Sequence, residues 1–363
     1  MHSVHNSKLF ITHNHWLDVC RASAILLVLL SHGRRFLYPV FPDAHFFKFG
    51  GFLGVEIFFV LSGFLIGSIL VVKSNGNSDV LAWAPQFWLR RFLRTYPNYV
   101  LFLSINLLVL DSWRPELEPQ LLNFLSFTQS LLVPHPGFFG EAWSLAVEEI
   151  FYFLIPIMML MLYRKNAIRS LFFSLIIIFV FSFSMRTVFV ISDDSFTFNQ
   201  IRSTALLRLD SIMFGVLASY IYLSGGVLKR IMVMVSPWMV ILFFPVVFIS
   251  MQNDRVMDES LFLKIFLFPM ANIAAVGLIV VGFNIKLSGF TCKVVQSVAR
   301  WSYSAYLVNL LVVSAIYYYL PPVSTSTAVY YWFLYILCTF LFSFVVYSVF
   351  ERNILLLRDR WVK

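Results

Sequence analysis

Long apolar stretches, each close to the length that crosses a lipid bilayer, leave this chain few folds to adopt. A bilayer core requires roughly 20 apolar residues of helix. Because no water reaches that core, the backbone of a spanning segment must satisfy its own hydrogen bonds, as a helix does. The sequence therefore predicts an all-α fold, a polytopic membrane helix bundle with about ten transmembrane helices. The predicted spans are residues 17–38, 51–73, 96–111, 141–163, 168–192, 201–224, 231–251, 260–283, 300–320 and 327–350.

Charged residues are too scarce for a soluble fold. Only 12% of the 363 residues are charged and 60% are hydrophobic, whereas a soluble domain carries about 25% charged residues. The net charge of +9 does not indicate a nucleic-acid partner, because the basic residues are spread between the apolar spans. The three Cys lie in or beside apolar segments without the spacing of metal ligands, so neither a disulfide framework nor a metal site is predicted.

The distribution of charge predicts the orientation of the bundle. With the amino terminus in the cytoplasm, cytoplasmic segments hold most of the 27 basic residues and the opposite loops hold most of the acidic ones, as the positive-inside rule requires. An even number of spans then leaves both termini cytoplasmic. The predicted organisation is a tail at residues 1–16, a membrane domain at residues 17–351 and a second tail at residues 352–363. The first tail lacks the pattern of a secretory signal peptide, so the first span is expected to stay in the mature protein.

The first span carries two ionisable side chains, Arg21 near its start and His32 well inside it. Their spacing corresponds to about three helical turns, so both lie on one face, roughly 16 Å apart along the axis. Ionisable groups at membrane depth are costly and usually mark a functional site. The alternative is structural: Arg21 reaches the headgroups along its own apolar stem, and His32 bonds to a neighbouring helix.

The stretch 86–97 alternates aromatic and aliphatic residues with Arg90, Arg91 and Arg94. This pattern is typical of an amphipathic basic helix at a membrane surface. Two interpretations stay open. The helix anchors the protein to lipid headgroups, or its arginines bind the phosphates of a cytoplasmic ligand, since a guanidinium matches phosphate geometry.

Six blocks of sequence resemble, in the same order, motifs of the acyltransferase-3 family of multi-span bacterial membrane O-acyltransferases. The blocks are Leu17-Asp18-x-x-Arg21 with His32, Gly54 to Ile66, Phe87 to Pro97, Trp143 to Tyr152 with Pro156, Arg208-Leu-Asp210 with Gly215, and Ser304 to Leu307 with a final acid at Glu351. The resemblance covers nearly the whole chain. One position departs, because many relatives carry a His where this chain has Asn309. That departure leaves His32 as the only predicted intramembrane base.

The resemblance implies an enzymatic activity. It implies transfer of an acetyl or other short acyl group from cytoplasmic acyl-CoA to a hydroxyl of a cell-envelope glycan, such as lipopolysaccharide O-antigen or exopolysaccharide. The expected location is the bacterial inner membrane, and the expected partners are the lipid bilayer, acyl-CoA and a glycan or lipid-linked glycan. Acetyl-CoA is then a co-substrate, and no permanently bound cofactor is expected.

The chemistry of that reaction predicts roles for individual residues. A base must remove the proton of the attacking sugar hydroxyl, and neutral imidazole suits this role near neutral pH. No Gly-x-Ser-x-Gly motif or reactive Cys offers a competing acyl-enzyme route. The predicted catalytic residues are His32, Arg21 and Glu148. The predicted donor-binding residues are Arg21, Arg90, Arg91 and Arg94. The predicted acceptor-binding residues are Arg34, Arg35, Trp143, Ser144, Arg208 and Asp210.

Arg34 and Arg35 are placed with the acceptor because of their position in the chain. They follow His32 on the outer side, where the positive-inside rule disfavours cations. An acidic sugar or a lipid diphosphate linker would pair with them. The alternative interpretation is a pair of anchors that reach the headgroups.

Two adjacent carboxylates, Glu148 and Glu149, lie within the fourth predicted span. Neighbouring positions on a helix point about 100° apart, so at most one of the two faces a given cavity. Glu148 is expected to be that one. Its expected partner is a buried arginine, one of Arg186, Arg202 or Arg208, because charges at membrane depth pair with one another.

Two other functions are compatible with a bundle that buries Arg, Glu and His. A transporter or flippase for a lipid-linked glycan needs similar groups near the bilayer centre, although no inverted repeat is visible in the sequence. A non-catalytic scaffold has no use for the buried His and Arg. Turnover of acetyl-CoA that depends on His32 separates the enzyme from the transporter.

Overall fold

The computed structural model describes residues 14–76, 79–113, 118–162 and 166–361. Within these ranges the chain is helical and contains no strand. Most of the predicted tail at residues 1–16 and the last two residues of the tail at 352–363 lie outside them. The α-helices are α1 (His15–Leu37), α2 (Lys48–Gly76), α3 (Val80–Trp113), α4 (Leu121–Leu125), α5 (Ala142–Met161), α6 (Ala167–Ser192), α7 (Phe198–Arg202), α8 (Leu209–Ser224), α9 (Gly226–Ser250), α10 (Asp254–Glu259), α11 (Leu261–Val281), α12 (Gly289–Tyr319), α13 (Ala328–Val346) and α14 (Arg352–Trp361). The shorter helical turns are 3-10 helices at Pro42–Phe47 and Ala205–Arg208 and a π-helical turn at Tyr347–Glu351.

Eight segments within the described residues are long and apolar enough to cross a membrane. Each corresponds to a predicted span, so the predicted all-α polytopic membrane bundle is confirmed. The predicted spans at residues 96–111 and 300–320 lie in α3 and α12, whose polar side chains, such as Asn98 and Asn309, lower their hydropathy. Both helices pack in the same bundle, α12 against α1 and α13, and α3 against α5 and α14. That α3 and α12 cross the membrane stays a prediction.

The start of α1 is fixed by side chains that bond to backbone on both sides of it. Asn14 precedes the helix, and its side-chain oxygen accepts from the amides of Trp16 and Leu17 at 2.9 and 3.3 Å. Such a cap satisfies donors that the first helical turn leaves free. The side chains of Asn14 and Trp16 also donate to the carbonyls of Phe283 and Leu278, at 2.7 and 2.8 Å. These bonds tie the amino-terminal end of α1 to the end of α11.

The tightest helix contact in the bundle lies between α2 and α8. A Cβ added at Gly63 would lie 2.0 Å from the carbonyl oxygen of Ile212, and one added at Gly215 would lie 2.0 Å from that of Val60. Within a bilayer, helices associate through close packing because lipid tails are as apolar as the side chains. The two glycines therefore allow the backbones of α2 and α8 to meet.

Two ion pairs without solvent exposure lie beside this contact. Arg186 of α6 pairs with Asp210 of α8 at 2.7 Å, and Arg208, just before α8, pairs with Glu56 of α2 at 2.6 Å. The guanidinium of Arg208 also lies 3.9 Å from the ring centroid of Phe268 on α11. Together these contacts join α2, α6, α8 and α11 through charges that the surrounding apolar side chains cannot solvate.

The predicted pairing of Glu148 with Arg186, Arg202 or Arg208 is wrong. Arg186 pairs with Asp210, and Arg208 pairs with Glu56. No carboxylate among the described residues forms an ion pair with Arg202. Glu148 instead accepts a hydrogen bond from the hydroxyl of Tyr152 at 2.9 Å. Helical periodicity fixes the direction of a side chain but not the helix that faces it, which is why the sequence could not identify the partners.

We expect Glu56→Gln to destabilise the protein strongly, because it leaves Arg208 buried without a counter-charge. Breaking one side of a buried pair typically costs about 3–5 kcal/mol. Thermal unfolding in detergent measures the loss. The matched control is Glu259→Gln, since Glu259 pairs with Arg255 at 2.6 Å in an exposed ion pair, and such pairs contribute about 0.5 kcal/mol or less. Equal melting temperatures for the two variants would contradict this role for Glu56.

Candidate active site

Three cavities follow one another through the bundle, and we name them A, B and C. Their volumes are about 320, 290 and 500 Å³. Cavities A and B share Val55 and Tyr306 in their walls, and cavities B and C share His32 and Arg202. Cavity B therefore lies between the other two. Among the charged and polar residues in their walls are Arg21, Arg91, Arg94, Glu148, Arg300, Glu351 and Arg358 for A; His32, His135, Glu141, Trp143 and Arg202 for B; and His32, Arg34, Arg35, Lys48, Arg202, Asp254 and Asp258 for C.

Helix α1 contributes side chains to all three cavities. Arg21 lines A, His32 lines B and C, and Arg34 and Arg35 line C. At a rise of 1.5 Å per residue, Arg21 and Arg35 are roughly 20 Å apart along the axis. The structure thus brings Arg21 and His32 to one series of cavities, as their spacing predicts, but not to the same cavity.

Cavity A is strongly positive. Its wall holds five arginines and two glutamates: Arg21, Arg91, Arg94, Arg300 and Arg358 with Glu148 and Glu351. Among these arginines, only Arg21 and Arg358 form an ion pair within the described residues, with Asp18 at 3.1 Å and Asp359 at 2.8 Å. A cavity of this charge suits a ligand with phosphate groups, which guanidinium groups bind in a forked geometry.

The structure divides the predicted donor patch and adds to it. Arg91 and Arg94 line cavity A, whereas Arg90 does not and lies 3.9 Å from Asp359 of α14. Arg90 and Arg91 are adjacent on the helix and so point about 100° apart. Arg300 of α12 and Arg358 of α14 complete the wall. In the sequence each is only a basic residue at a predicted cytoplasmic helix end, which does not distinguish it from the other basic residues there. The residues that line cavity A can therefore be identified from the folded structure but not from the sequence.

Of the two adjacent glutamates of α5, Glu148 faces cavity A. Its carboxylate accepts from the hydroxyl of Tyr152, which is also hydrogen-bonded to Ser62 of α2. Glu149 does not line the cavity and accepts from the hydroxyl of Thr95 on α3 at 2.6 Å. This orientation is the one expected for the pair.

Tyr306 of α12 lies at the boundary between cavities A and B. Its hydroxyl is 2.7 Å from that of Ser144 and donates to the carbonyl of Glu141 at 3.4 Å. Ser144 is thereby placed in the wall of A, apart from the other predicted acceptor-binding residues. Tyr306 entered the sequence analysis only as part of a motif, and nothing in the sequence indicated its position between two cavities.

His32 is held by Asn309, the position at which the sequence departs from its relatives. Nδ1 of His32 lies 2.5 Å from Oδ1 of Asn309, whose Nδ2 donates to the carbonyl of Tyr306 at 2.5 Å. Because the amide nitrogen of Asn309 is bound to a carbonyl, its oxygen is the acceptor, and Nδ1 of His32 carries the proton. Nε2 of His32 is then the basic nitrogen. Asn309 thus sets the ring orientation and the tautomer of His32.

A second histidine, His135, lines cavity B. It belongs to the loop between α4 and α5, and its Nε2 donates to the carbonyls of Phe138 and Phe139 at 3.2 and 3.1 Å. Burial lowers the pKa of His135 to about 4, so the ring is neutral at physiological pH. His135 lies between two predicted spans, and nothing in the sequence indicates that this segment contributes to a cavity.

The predicted acceptor-binding residues are dispersed. Arg34 and Arg35 line cavity C and Trp143 lines cavity B, so these three lie in the cavities that contain His32. Arg208 and Asp210 line none of the three cavities and are held in the buried ion pairs between helices. The structure therefore does not bring Arg208 and Asp210 to the candidate site.

Comparison with known proteins gives two kinds of match. The sequence model of a family described as "Acyltransferase domain" matches residues 14–348. The O-acetyltransferase OatA of Staphylococcus aureus is 27% identical over 243 residues, which cover 60% of this chain and 37% of that protein. The peptidoglycan O-acetyltransferase OatA of Listeria monocytogenes is 30% identical over 161 residues, 40% of this chain and 24% of that protein. The matched regions thus span about a third and about a quarter of these two relatives' own lengths. No solved structure matches the chain.

We expect cavities A and C to open toward opposite faces of the membrane. In a chain whose own three cysteines are replaced by Ala, Arg35→Cys should react with an impermeant maleimide added to whole cells. Arg358→Cys should react only after the membrane is permeabilised. The sidedness control is Arg360→Cys, an exposed position on α14 that does not line cavity A and that should react like Arg358→Cys. Labelling of positions 35 and 358 from the same face would contradict the arrangement.

Proposed function

This chain belongs to the acyltransferase domain family, and we propose that it moves an acetyl group from cytoplasmic acetyl-CoA to a hydroxyl of a cell-envelope glycan. One observation carries the proposal: a cavity rich in arginine, a histidine with an oriented ring and an outer cationic cavity follow one another in that order. Such an order suits a donor and an acceptor that enter from opposite sides and meet at His32. The proposed location is the cytoplasmic membrane of a bacterial cell.

Peptidoglycan is the acceptor that we place first. A relative that matches the chain carries peptidoglycan in its name, whereas lipopolysaccharide O-antigen and exopolysaccharide rest only on the wider range of the family. All three are envelope glycans with free hydroxyls. Mass spectrometry of envelope glycans from cells with and without the gene identifies both the acceptor and the acyl group through the added mass.

The proposed donor site is cavity A. Its volume of about 320 Å³ lies within the usual range of small-molecule sites. The phosphates of CoA would pair with the arginines of its wall, which are Arg21, Arg91, Arg94, Arg300 and Arg358. The pantetheine arm would then extend past Tyr306 toward cavity B, where the thioester meets His32.

The proposed reaction is direct transfer with His32 as general base. Nε2 of His32 takes the proton of the acceptor hydroxyl while the hydroxyl oxygen bonds to the thioester carbonyl carbon. The tetrahedral intermediate collapses, the C–S bond breaks, and CoA leaves as a thiolate that receives the proton from the imidazolium. Asn309 keeps Nδ1 protonated throughout, so that Nε2 is the nitrogen that exchanges the proton.

The other predicted catalytic residues act in cavity A under this proposal. Arg21 would bind the donor, which agrees with its place in the wall of cavity A. Glu148, with Tyr152 bound to its carboxylate, would position the donor near the boundary at Tyr306. On the outer side, Arg34 and Arg35 of cavity C would contact the acceptor.

A transporter of a lipid-linked glycan is the second candidate, because a series of cavities from one end of α1 to the other also suits transport. The two functions differ in chemistry. An acyltransferase consumes acetyl-CoA and loses this activity without His32, whereas a transporter does neither.

We expect His32→Ala to lower acetyl transfer by about 10²–10⁴, the usual effect of removing a general base. The purified protein in nanodiscs, with acetyl-CoA and a glycan acceptor, provides the rate. His45→Ala is the matched control, because His45 is exposed in the 3-10 helix that follows α1. Wild-type turnover by a folded His32→Ala variant would rule out the proposed base.

We expect Arg358→Gln to raise the KM for acetyl-CoA about tenfold with little change in kcat. Losing a hydrogen bond to a charged group costs about 1.5–3 kcal/mol, and an interaction made equally in the ground and transition states appears in KM alone. Arg360→Gln on the same helix is the matched control, since Arg360 is exposed and outside cavity A. Equal KM values for the two variants would show that cavity A does not hold the CoA phosphates.

A further inference from the structure

Arg202 is held in place at the junction of cavities B and C, where His32 also lies. Its Nη2 donates to the carbonyl of Gly51 at 2.7 Å. The guanidinium carbon lies 5.0 Å from the ring centroid of Trp143 and 5.6 Å from that of Phe52. These contacts fix the position of the group without neutralising its charge.

Arg202 differs from the two fully buried arginines near it in sequence. Arg186 and Arg208 each have a carboxylate, at 2.7 and 2.6 Å, whereas Arg202 forms no ion pair with any described residue. Its Nε lacks a hydrogen-bond partner, but so do Nε and Nη1 of Arg208, so the difference lies in the ion pair. Arg202 is partly buried and faces cavities B and C, so its charge is available to an anion that enters them.

No carboxylate of the cavity wall supplies that anion. Glu141 is only 4% exposed and also lines cavity B, but its Oε1 accepts from the amide of Leu310 at 3.0 Å and forms no ion pair with Arg202. Glu56, about one turn after Gly51 and Phe52 on α2, is bound to Arg208. In cavity C, Asp254 pairs with Lys48 and Asp258 accepts from the amide of Phe198. An anion bound by Arg202 would therefore enter with a substrate or arise during the reaction.

The position of Arg202 in the wall of cavity B indicates which anion it binds. Among the described residues that line cavity B, Arg202 is the only Arg or Lys, and cavity B contains the proposed base. The arginines of cavity A suit phosphates, and Arg34 and Arg35 lie in cavity C. Acyl transfer needs a donor that faces the carbonyl oxygen when it becomes negative, and in cavity B Arg202 is the charged group that provides one.

We propose that Arg202 is a catalytic residue that binds the oxyanion of the tetrahedral intermediate. This inference rests on the proposed function. As the acceptor oxygen bonds to the carbonyl carbon and its proton passes to His32, the C=O π electrons move to the carbonyl oxygen, where the N–H groups of Arg202 stabilise them. When these electrons return, the C–S bond breaks and CoA leaves as a thiolate, which takes the proton from His32.

The test measures Arg202→Gln and Arg202→Met in nanodiscs, with acetyl-CoA as donor. Water and a neutral N-acetylglucosamine oligosaccharide serve as acceptors, so that no acidic group on the acceptor can contribute. Turnover is divided by the number of CoA-binding sites, so that unfolded protein is not counted. We expect kcat to fall about 10²–10³ with both acceptors, the usual effect of removing an oxyanion donor, with the KM for acetyl-CoA within twofold of wild type.

The control is Arg255→Gln, because Arg255 is exposed and paired with Glu259 on the side of the protein where cavity C lies; it should retain wild-type turnover. Unchanged kcat of the Arg202 variants with the neutral acceptor would overturn the proposal and indicate that Arg202 binds an acidic group of the natural acceptor. A raised KM for acetyl-CoA with unchanged kcat would place Arg202 in the donor site instead. If the wild-type protein turns over no acetyl-CoA, the proposed function itself fails, and this inference with it.

Discussion

The rest of the structure depends on how charges are kept inside a bundle that water cannot reach. The pairs Arg186–Asp210 and Arg208–Glu56 neutralise four buried groups and in doing so join α2, α6 and α8. The contact of Arg208 with Phe268 adds α11 to this group. These contacts join the four helices, and α7, which carries Arg202, precedes the turn that leads into α8. Arg186 and Arg208 have carboxylate partners because a buried charge is costly. For the same reason, the lack of an ion pair to Arg202 among the described residues indicates that its charge serves the site.

The path of cavities is built on one helix and completed by its neighbours. Helix α1 supplies Arg21 at one end and Arg34 and Arg35 at the other, with His32 between them. Helix α12 supplies Asn309, which orients His32, and Tyr306, which separates cavities A and B. The polar residues that make α12 less hydrophobic than its neighbours are thus the ones that serve the candidate site.

Much of the fold could be predicted from the sequence, because span length and helical periodicity are local properties. The spans, the shared face of Arg21 and His32 and the inward direction of Glu148 follow from one helix at a time, and the motifs indicated the family. Residues whose role depends on which helices are neighbours could not be found this way. Arg300 and Arg358 join cavity A from distant helices, and Arg208 and Asp210, expected at the acceptor site, are instead taken up by ion pairs. The contact of Asn309 with His32 likewise depends on the packing of α12 against α1, which one helix alone does not reveal.

The hydroxyl of Tyr306, fixed by Ser144 and the carbonyl of Glu141, has a consequence for the cell as well as for the site. A bacterium stores energy as a difference in proton concentration and voltage across its cytoplasmic membrane. A continuous thread of water through the bundle would discharge that difference. Cavities A and B meet at Tyr306, so under the proposed function this side chain would interrupt such a thread of water between them. Under the same proposal, the thioester arm of the donor would fill this junction as it passes Tyr306, and the membrane would stay sealed while the substrate moves.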